Sequence, residues 1–264
     1  MLNRTTLLGG VCALALSAIP FTSAMAGAPM GFAGTLGASY GQSSCSGCGT
    51  QDNWNVNGAG AFGFTPMFGG EIDAGYNNVS GSGFSSDVWG VGGSLFWAPA
   101  FGRVGGTVAY ATTNSGGNAH IVTFGGFGEF YASNFFTVGL KGGGFSFDTS
   151  GFSDTGGYVG GAVTGYAMPD LAITGSIDYA TISGLDLTNF GIGAEFLVSP
   201  VIPISIGAGY NRTHASFTGS SIDVDTWMVA LKFYFGGGMT LVERQREGTL
   251  GWAGNANLNS IFQF

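Results

Sequence analysis

From Phe32 to Phe235 apolar and polar positions alternate for ten to fifteen residues at a time, stop at a cluster of Pro, Asn, Asp, Ser or Gly, and then resume. A period of two over such lengths predicts β-strands, not helices. The interruptions are of two kinds, which alternate along the chain. One kind is short and carries Pro or an Asn turn: Thr65-Pro66-Met67, Ala98-Pro99-Ala100, Ala132-Ser133-Asn134, Met168-Pro169-Asp170 and 199–203. The other is polar: 42–53, 81–86, 114–118, 150–156, 183–186 and 216–221. Between them the pattern predicts strands at 31–41, 54–64, 68–80, 87–97, 103–113, 119–131, 135–148, 157–167, 171–182, 187–198, 204–215 and 222–235.

Each of these segments has the length of a tilted strand crossing an outer membrane, about 9 to 11 residues. A sheet edge left open in lipid would expose unpaired N–H and C=O groups, so the sheet has to close. The expected fold is all-β: a closed antiparallel transmembrane β-barrel of about twelve strands, ten being the alternative, with short periplasmic turns and Gly/Ser/Asp connections outside. The faces agree. Trp227, Val229, Leu231, Phe233 and Phe235 share one side of the last strand, and Thr226, Met228, Ala230, Lys232 and Tyr234 the other. In 157–167 both faces are apolar enough to meet lipid: Tyr158, Ala162 and Tyr166, or Val159 and Val163.

Composition narrows the classes further. Gly supplies 51 of 264 residues, without the three-residue period of collagen. Hydrophobic residues at 45% and 23 Phe exclude a disordered chain. Charged residues are only 8%, far below the ~25 to 35% of a soluble surface, which argues against a periplasmic sandwich or solenoid. After residue 26 no apolar run is long enough for a membrane-spanning helix. The net charge of −8 makes nucleic acid a poor partner.

Residues 1–26 read as a secretory signal: Arg4, an apolar stretch Leu7–Ile19, and the small-x-small site Ala24-Met25-Ala26. The barrel is then expected within 27–237. The remainder, 238–264, is expected to be a periplasmic extension or a lumen plug. Cys45 and Cys48 survive processing and lie close together in the first exterior connection, where a local disulfide is expected. No pattern calls for a cofactor or a resident metal.

Signal, amphipathic strands and the final strand Trp227–Phe235 together resemble the bacterial outer-membrane β-barrel proteins, in particular the small porin-like barrels. That resemblance implies the cell outer membrane as location. It implies membrane lipid, lipopolysaccharide and the barrel-assembly machinery as partners, and passive diffusion of small polar solutes as function. The chain departs from the family in carrying a long tail after Phe235. A closed barrel with a structural or surface-contact role is the second reading.

Inner parity places Glu71, Asp73, Arg103, Glu129, Lys141, Asp178, Glu195 and Lys232 in the lumen. They are expected either to pair across it or to form a mildly cation-selective ring. The inner faces otherwise read as Gly, Ala, Ser and Thr with few large side chains, which predicts a narrow wet passage. Asp52, Asp87, Asp148, Asp154, Asp186, Asp223 and Asp225 crowd the exterior rim. His214-Ala-Ser216 is similar in spacing to the outer-membrane phospholipase, a remote lipase reading. Acyl transfer needs a third group to orient the His, and Asn211 lies on the wrong face. The chain is therefore expected not to be an enzyme.

Overall fold

The computed structural model describes residues 31–45, 49–81, 84–113, 119–199 and 201–251. The leader 1–26, Cys48 and the chain after 251 lie outside the described residues. Twelve strands follow one another: β1 (Phe32–Cys45), β2 (Gly49–Thr65), β3 (Phe68–Gly81), β4 (Phe84–Trp97), β5 (Gly102–Thr113), β6 (Ala119–Ser133), β7 (Phe136–Thr149), β8 (Phe152–Met168), β9 (Leu171–Ile182), β10 (Leu185–Leu197), β11 (Ile204–Phe217) and β12 (Ser220–Phe235). Each pairs antiparallel with its chain neighbours, and β1 pairs with β12, from Gly34↔Phe235 to Cys45↔Val224, so the barrel is closed. Among the described residues one short helix, α1 (Leu241–Glu247), follows the barrel.

The outer wall is apolar. Leu36, Ile72, Leu95, Val108, Phe124, Leu140, Val159, Ile177, Ile192, Ile206 and Val229 all project outward and are exposed. For water-facing side chains this would be a large aggregation surface; in a bilayer it is the ordinary outside of a barrel. The ambiguity of β8 is resolved by the same pattern, since Val159 and Val163 face out while Tyr158 and Tyr166 are buried. Tyr158 turns inward because glycines make room for it. It stands beside Gly143 in register, and its hydroxyl lies where a Cβ on Gly125 or Gly143 would have to go.

The strands run further than the sequence pattern indicated. β1 continues to Cys45 and β2 begins at Gly49, where strand ends at 41 and 54 were expected; β8 begins at Phe152 instead of 157. The polar runs read as exterior connections are thus largely paired strand, for example Gln42↔Asp52 and Ser43↔Gln51. Above the lipid both faces of a strand can be polar, so the two-residue period fades while the backbone ladder continues. The connections themselves are short turns such as Ser150-Gly151, Ser183-Gly184 and Thr218-Gly219.

Candidate functional site: the lumen and its C-terminal plug

The lumen has three levels. At its exterior end Val88, Ala111, Ile121, Phe145, Tyr158, Leu187 and Ala215 pack into one buried apolar cluster, with Phe147, Ile182, Leu185, Phe217 and Ile222 against it, while Ser43, Ser86 and Thr226 are buried polar positions at the same end. At mid-height many inward side chains are small, although Asp73, the Lys141–Asp178 pair and Met228 also point into this level. Ser39, Asn57, Ala59, Thr107, Ala162, Ser176 and Ala230 line this level, and all are partly accessible. Here asparagines lie flat over glycines of the neighbouring strand, with Asn57 Oδ1 against Gly37, Asn53 Oδ1 against Gly41 and Asn211 Oδ1 against Gly191. Folding back in this way keeps the side chains against the wall. The third level, near the termini and the Pro turns, is filled by charged groups and by the chain's own tail.

This arrangement corrects the expectation of few large inner side chains. Phe96, Phe127, Phe145, Tyr158, Tyr166, Leu187, Leu197, Met228 and Tyr234 all point inward and are buried. Apart from Met228, which stands beside Gly41 at the level of Asn53, they gather toward the two ends of the barrel, with most of the small residues between them. Alternation alone assigns a residue to a face but not to a height.

The eight inner charges all face the lumen. Seven are buried and Lys232 is half-buried. Arg103 and Glu129, opposite each other on β5 and β6, form a buried pair at 2.7 Å, with Arg103 Nε also donating to Glu129 at 2.8 Å. Lys141 Nζ reaches Asp178 at 2.9 Å across β8, whose Gly160 stands between them in register. A side chain at Gly160 would collide with both. Lys232 Nζ donates to Glu195 Oε2 at 3.2 Å. Glu195 also accepts from the hydroxyls of Ser205 and Tyr234, each at 2.5 Å, and from Gln245 Nε2 at 3.1 Å. Glu71 accepts from the backbone N–H of Leu250. Asp73 lies beside Glu71 on β3 and is also buried.

Three of these charges, Glu71, Arg103 and Glu195, are met by residues after 238, which turn back into the barrel end. The local signal is Thr240-Leu-Val-Glu243, a capping box. Thr240 Oγ1 accepts from Glu243 N–H at 3.2 Å, and Glu243 Oε2 accepts from Thr240 N–H at 3.0 Å and Met239 N–H at 2.7 Å. The backbone N–H groups of Thr240 and Met239 hold the Glu243 carboxyl below the usual carboxylate range, which keeps it ionised and capping. The start of α1 is tied to the β8–β9 turn: Leu241 N–H donates to Asp170 Oδ1 at 3.2 Å and Val242 N–H to Pro169 O at 3.1 Å.

Beyond that anchor, Leu241 is fully buried against Tyr166, Ala172, Leu197 and Tyr234. Leu250 packs with Phe96, Ala98 and Phe127 on the other side of the lumen. Thr249 Oγ1 lies 3.1 Å from Thr35 Oγ1 on β1, and Gly248 O accepts from Arg103 Nη1 at 3.4 Å. Arg246 Nη2 donates to Ser133 O at 2.6 Å, Phe136 O at 3.0 Å and Thr137 Oγ1 at 3.2 Å. Its guanidinium carbon lies 4.9 Å from the Tyr131 ring centre and 5.4 Å from that of Tyr166. Both tyrosines sit at β-bulges, between Tyr131 and Ser133 and between Tyr166 and Met168, and a bulge re-aims a side chain at a barrel rim. The tail was expected as an extension or a plug, but the contacts of its individual residues and of the two tyrosines were not; the capping box is the local signal that the segment is helical.

At the exterior rim five of the seven aspartates find cross-strand partners on the outer face, while Asp148 and Asp154 accept from the Ser146 hydroxyl and the Thr155 N–H of their own strands. Tyr40 donates to Asp52 at 2.8 Å, Tyr76 to Asp87 at 2.6 Å and Tyr179 to Asp186 at 2.8 Å, and Tyr210 donates to Asp225. Asp223 pairs with Arg212 at 3.0 Å and with His214 Nδ1 at 2.7 Å. That last contact corrects one step of the sequence reasoning, because a third group beside His214 does exist. Ser216, however, is absent from the hydrogen-bond partners of His214, so no nucleophile–base contact is formed. Cys45 is disulfide-bonded. Among the described residues no cluster of His, Cys, Asp or Glu could hold a metal.

No family model and no curated protein sequence matches the chain. Solved structures do. The KdgM porin aligns over 75% of this chain and 99% of its own, with a TM-score of 0.50 and 10% identity. The NanC porin gives 75%, 98%, 0.50 and 10%. The translocator domain of the autotransporter NalP from Neisseria meningitidis covers 88% of this chain and 95% of its own, with a TM-score of 0.51 and 10% identity. At such identity the likeness is one of fold. Closed sheet, apolar outer wall and these likenesses define an outer-membrane β-barrel.

Proposed function

We propose that the protein is a porin-like channel for passive diffusion of small solutes, and that its C-terminal segment closes the periplasmic mouth. The observation that carries this reading is the mid-height level of small, partly accessible inner residues between two filled ends. A barrel built only as a wall has no reason to lay Asn53, Asn57 and Asn211 back over glycines. Charge selectivity through the lumen is weak, because Arg103, Lys141 and Lys232 are each neutralised by a carboxylate within it. The wall alone keeps a modest excess of carboxylate from Glu71 and Asp73, which Arg244 and Arg246 offset while the plug is seated and which favours cations over anions once it leaves.

The packed apolar cluster at the exterior end favours the second reading, a barrel without transport. Apolar constrictions also gate channels by dewetting, so the two readings differ in whether the cluster ever yields. Planar-bilayer recording of the folded, full-length protein separates them. The channel reading expects discrete but infrequent current steps, since both ends are filled at rest. A flat baseline from correctly folded protein, and equally from a variant with its plug displaced, establishes the closed barrel.

A further inference from the structure

Arg246 is buried, and among the described residues it makes no ion pair. Its donors end on two main-chain carbonyls and a threonine hydroxyl, and its plane is flanked by two tyrosine rings. A plug evolved only to lock shut would set this arginine against a carboxylate such as Glu129, which lies two residues before Tyr131 on the same strand. Breaking such a buried pair is expensive, and the lock would be tight. The seat is instead built of neutral acceptors and ring faces, which recognise a planar cation yet release it. Every part of it, Tyr131, Thr137, Tyr166 and the β6–β7 turn, belongs to the wall of the mouth and stays there when the helix leaves.

The geometry points to a solute site that the chain's own Arg246 occupies when the plug is seated. The solutes it fits are guanidinium-bearing organic cations, attracted by the carboxylate surplus of the wall once the plug has left and seated between Tyr131 and Tyr166. Arg246 is then a tethered competitor: it holds the site at high effective concentration, and a free guanidinium displaces it only at high external concentration. The inference rests on the channel reading above, and its tests divide accordingly.

The first test needs no conduction. In full-length Arg246→Ala the seat is vacated, so ethylguanidinium raises the temperature of the heat-induced gel-mobility shift, relative to sodium chloride of equal ionic strength. Wild type and Arg246→Ala/Tyr166→Leu show no such rise. Absence of rescue in Arg246→Ala overturns the site. The second test is the reversal potential of Arg246→Ala channels between guanidinium and sodium. Guanidinium is expected to permeate about tenfold better than sodium, and this preference falls to near unity when Tyr166→Leu is added. Rescue without preferential permeation overturns the solute assignment and leaves the seat as a lock. Rescue without any current overturns the channel reading itself.

Discussion

Replacing Leu241 by Asp raises the time-averaged conductance of the full-length protein by about tenfold or more, because the plug can no longer seat. Leu241 is the apolar anchor of α1, with none of its surface exposed, and it lies among Tyr166, Ala172, Leu197 and Tyr234. A carboxylate there has no cation within its own cluster, and an unpaired ion in such a site costs several kcal/mol. Undocking exposes that carboxylate to water at the loss of a few hydrogen bonds, chiefly Gln245 to Glu195 and the Arg246 contacts. A seven-residue helix has little stability apart from its docking, so the segment leaves as a unit. The barrel does not depend on it, since the ladder closes between β1 and β12 without the tail. Single-channel recording measures the effect. Unchanged conductance, with heat-modifiable mobility intact, contradicts the assignment of the segment as the closing element.

The second large effect concerns the barrel itself. Arg103→Leu takes away the cation paired with buried Glu129 and frees Gly248 O as well. Breaking a fully buried ion pair from one side typically costs about 3 to 5 kcal/mol. The same cost is expected here, read as a lower urea midpoint for unfolding from detergent micelles or vesicles. Arg103→Leu/Glu129→Leu recovers most of the loss, because two apolar side chains of similar length leave no stranded charge. If the double variant is as unstable as the sum of the single ones, then desolvated charge is not what the pair controls.

Much of this structure was readable from alternation. A two-residue period flips a side chain between lipid and lumen, and a residue on the wrong face is not tolerated in hydrocarbon, so strand number, closure and the parity of all eight inner charges follow from the pattern. Above the lipid the same constraint disappears, and there the reading stopped short: residues 42–45 and 49–53 looked like loop and are strand.

Partnership was less legible than placement. Lys141 and Asp178 are 37 positions apart in sequence on strands that do not touch, and they meet only because Gly160 on the strand between them lacks a side chain. For the tail, expected as either a periplasmic extension or a lumen plug, the choice between the two was not legible. Seven helical residues give no periodicity to measure, and the glycines after Phe235 look like an exit from the barrel. Gly236 and Gly237, both with positive φ, instead reverse the chain toward the lumen. His214 and Asp223 show the same limit: register, which sets the contact, is not visible in one strand alone.

The most direct test of the account is a pair of cysteines, Thr35→Cys and Thr249→Cys, placed where two hydroxyls now lie 3.1 Å apart between β1 and the end of the plug. In folded protein from outer membranes, mild oxidation should join them, as identified by peptide mass spectrometry, and the crosslinked barrel should stop conducting until it is reduced. If both cysteines instead remain free and react fully with a water-soluble maleimide under the same oxidation, the tail does not occupy the mouth, and the closed-channel account is wrong.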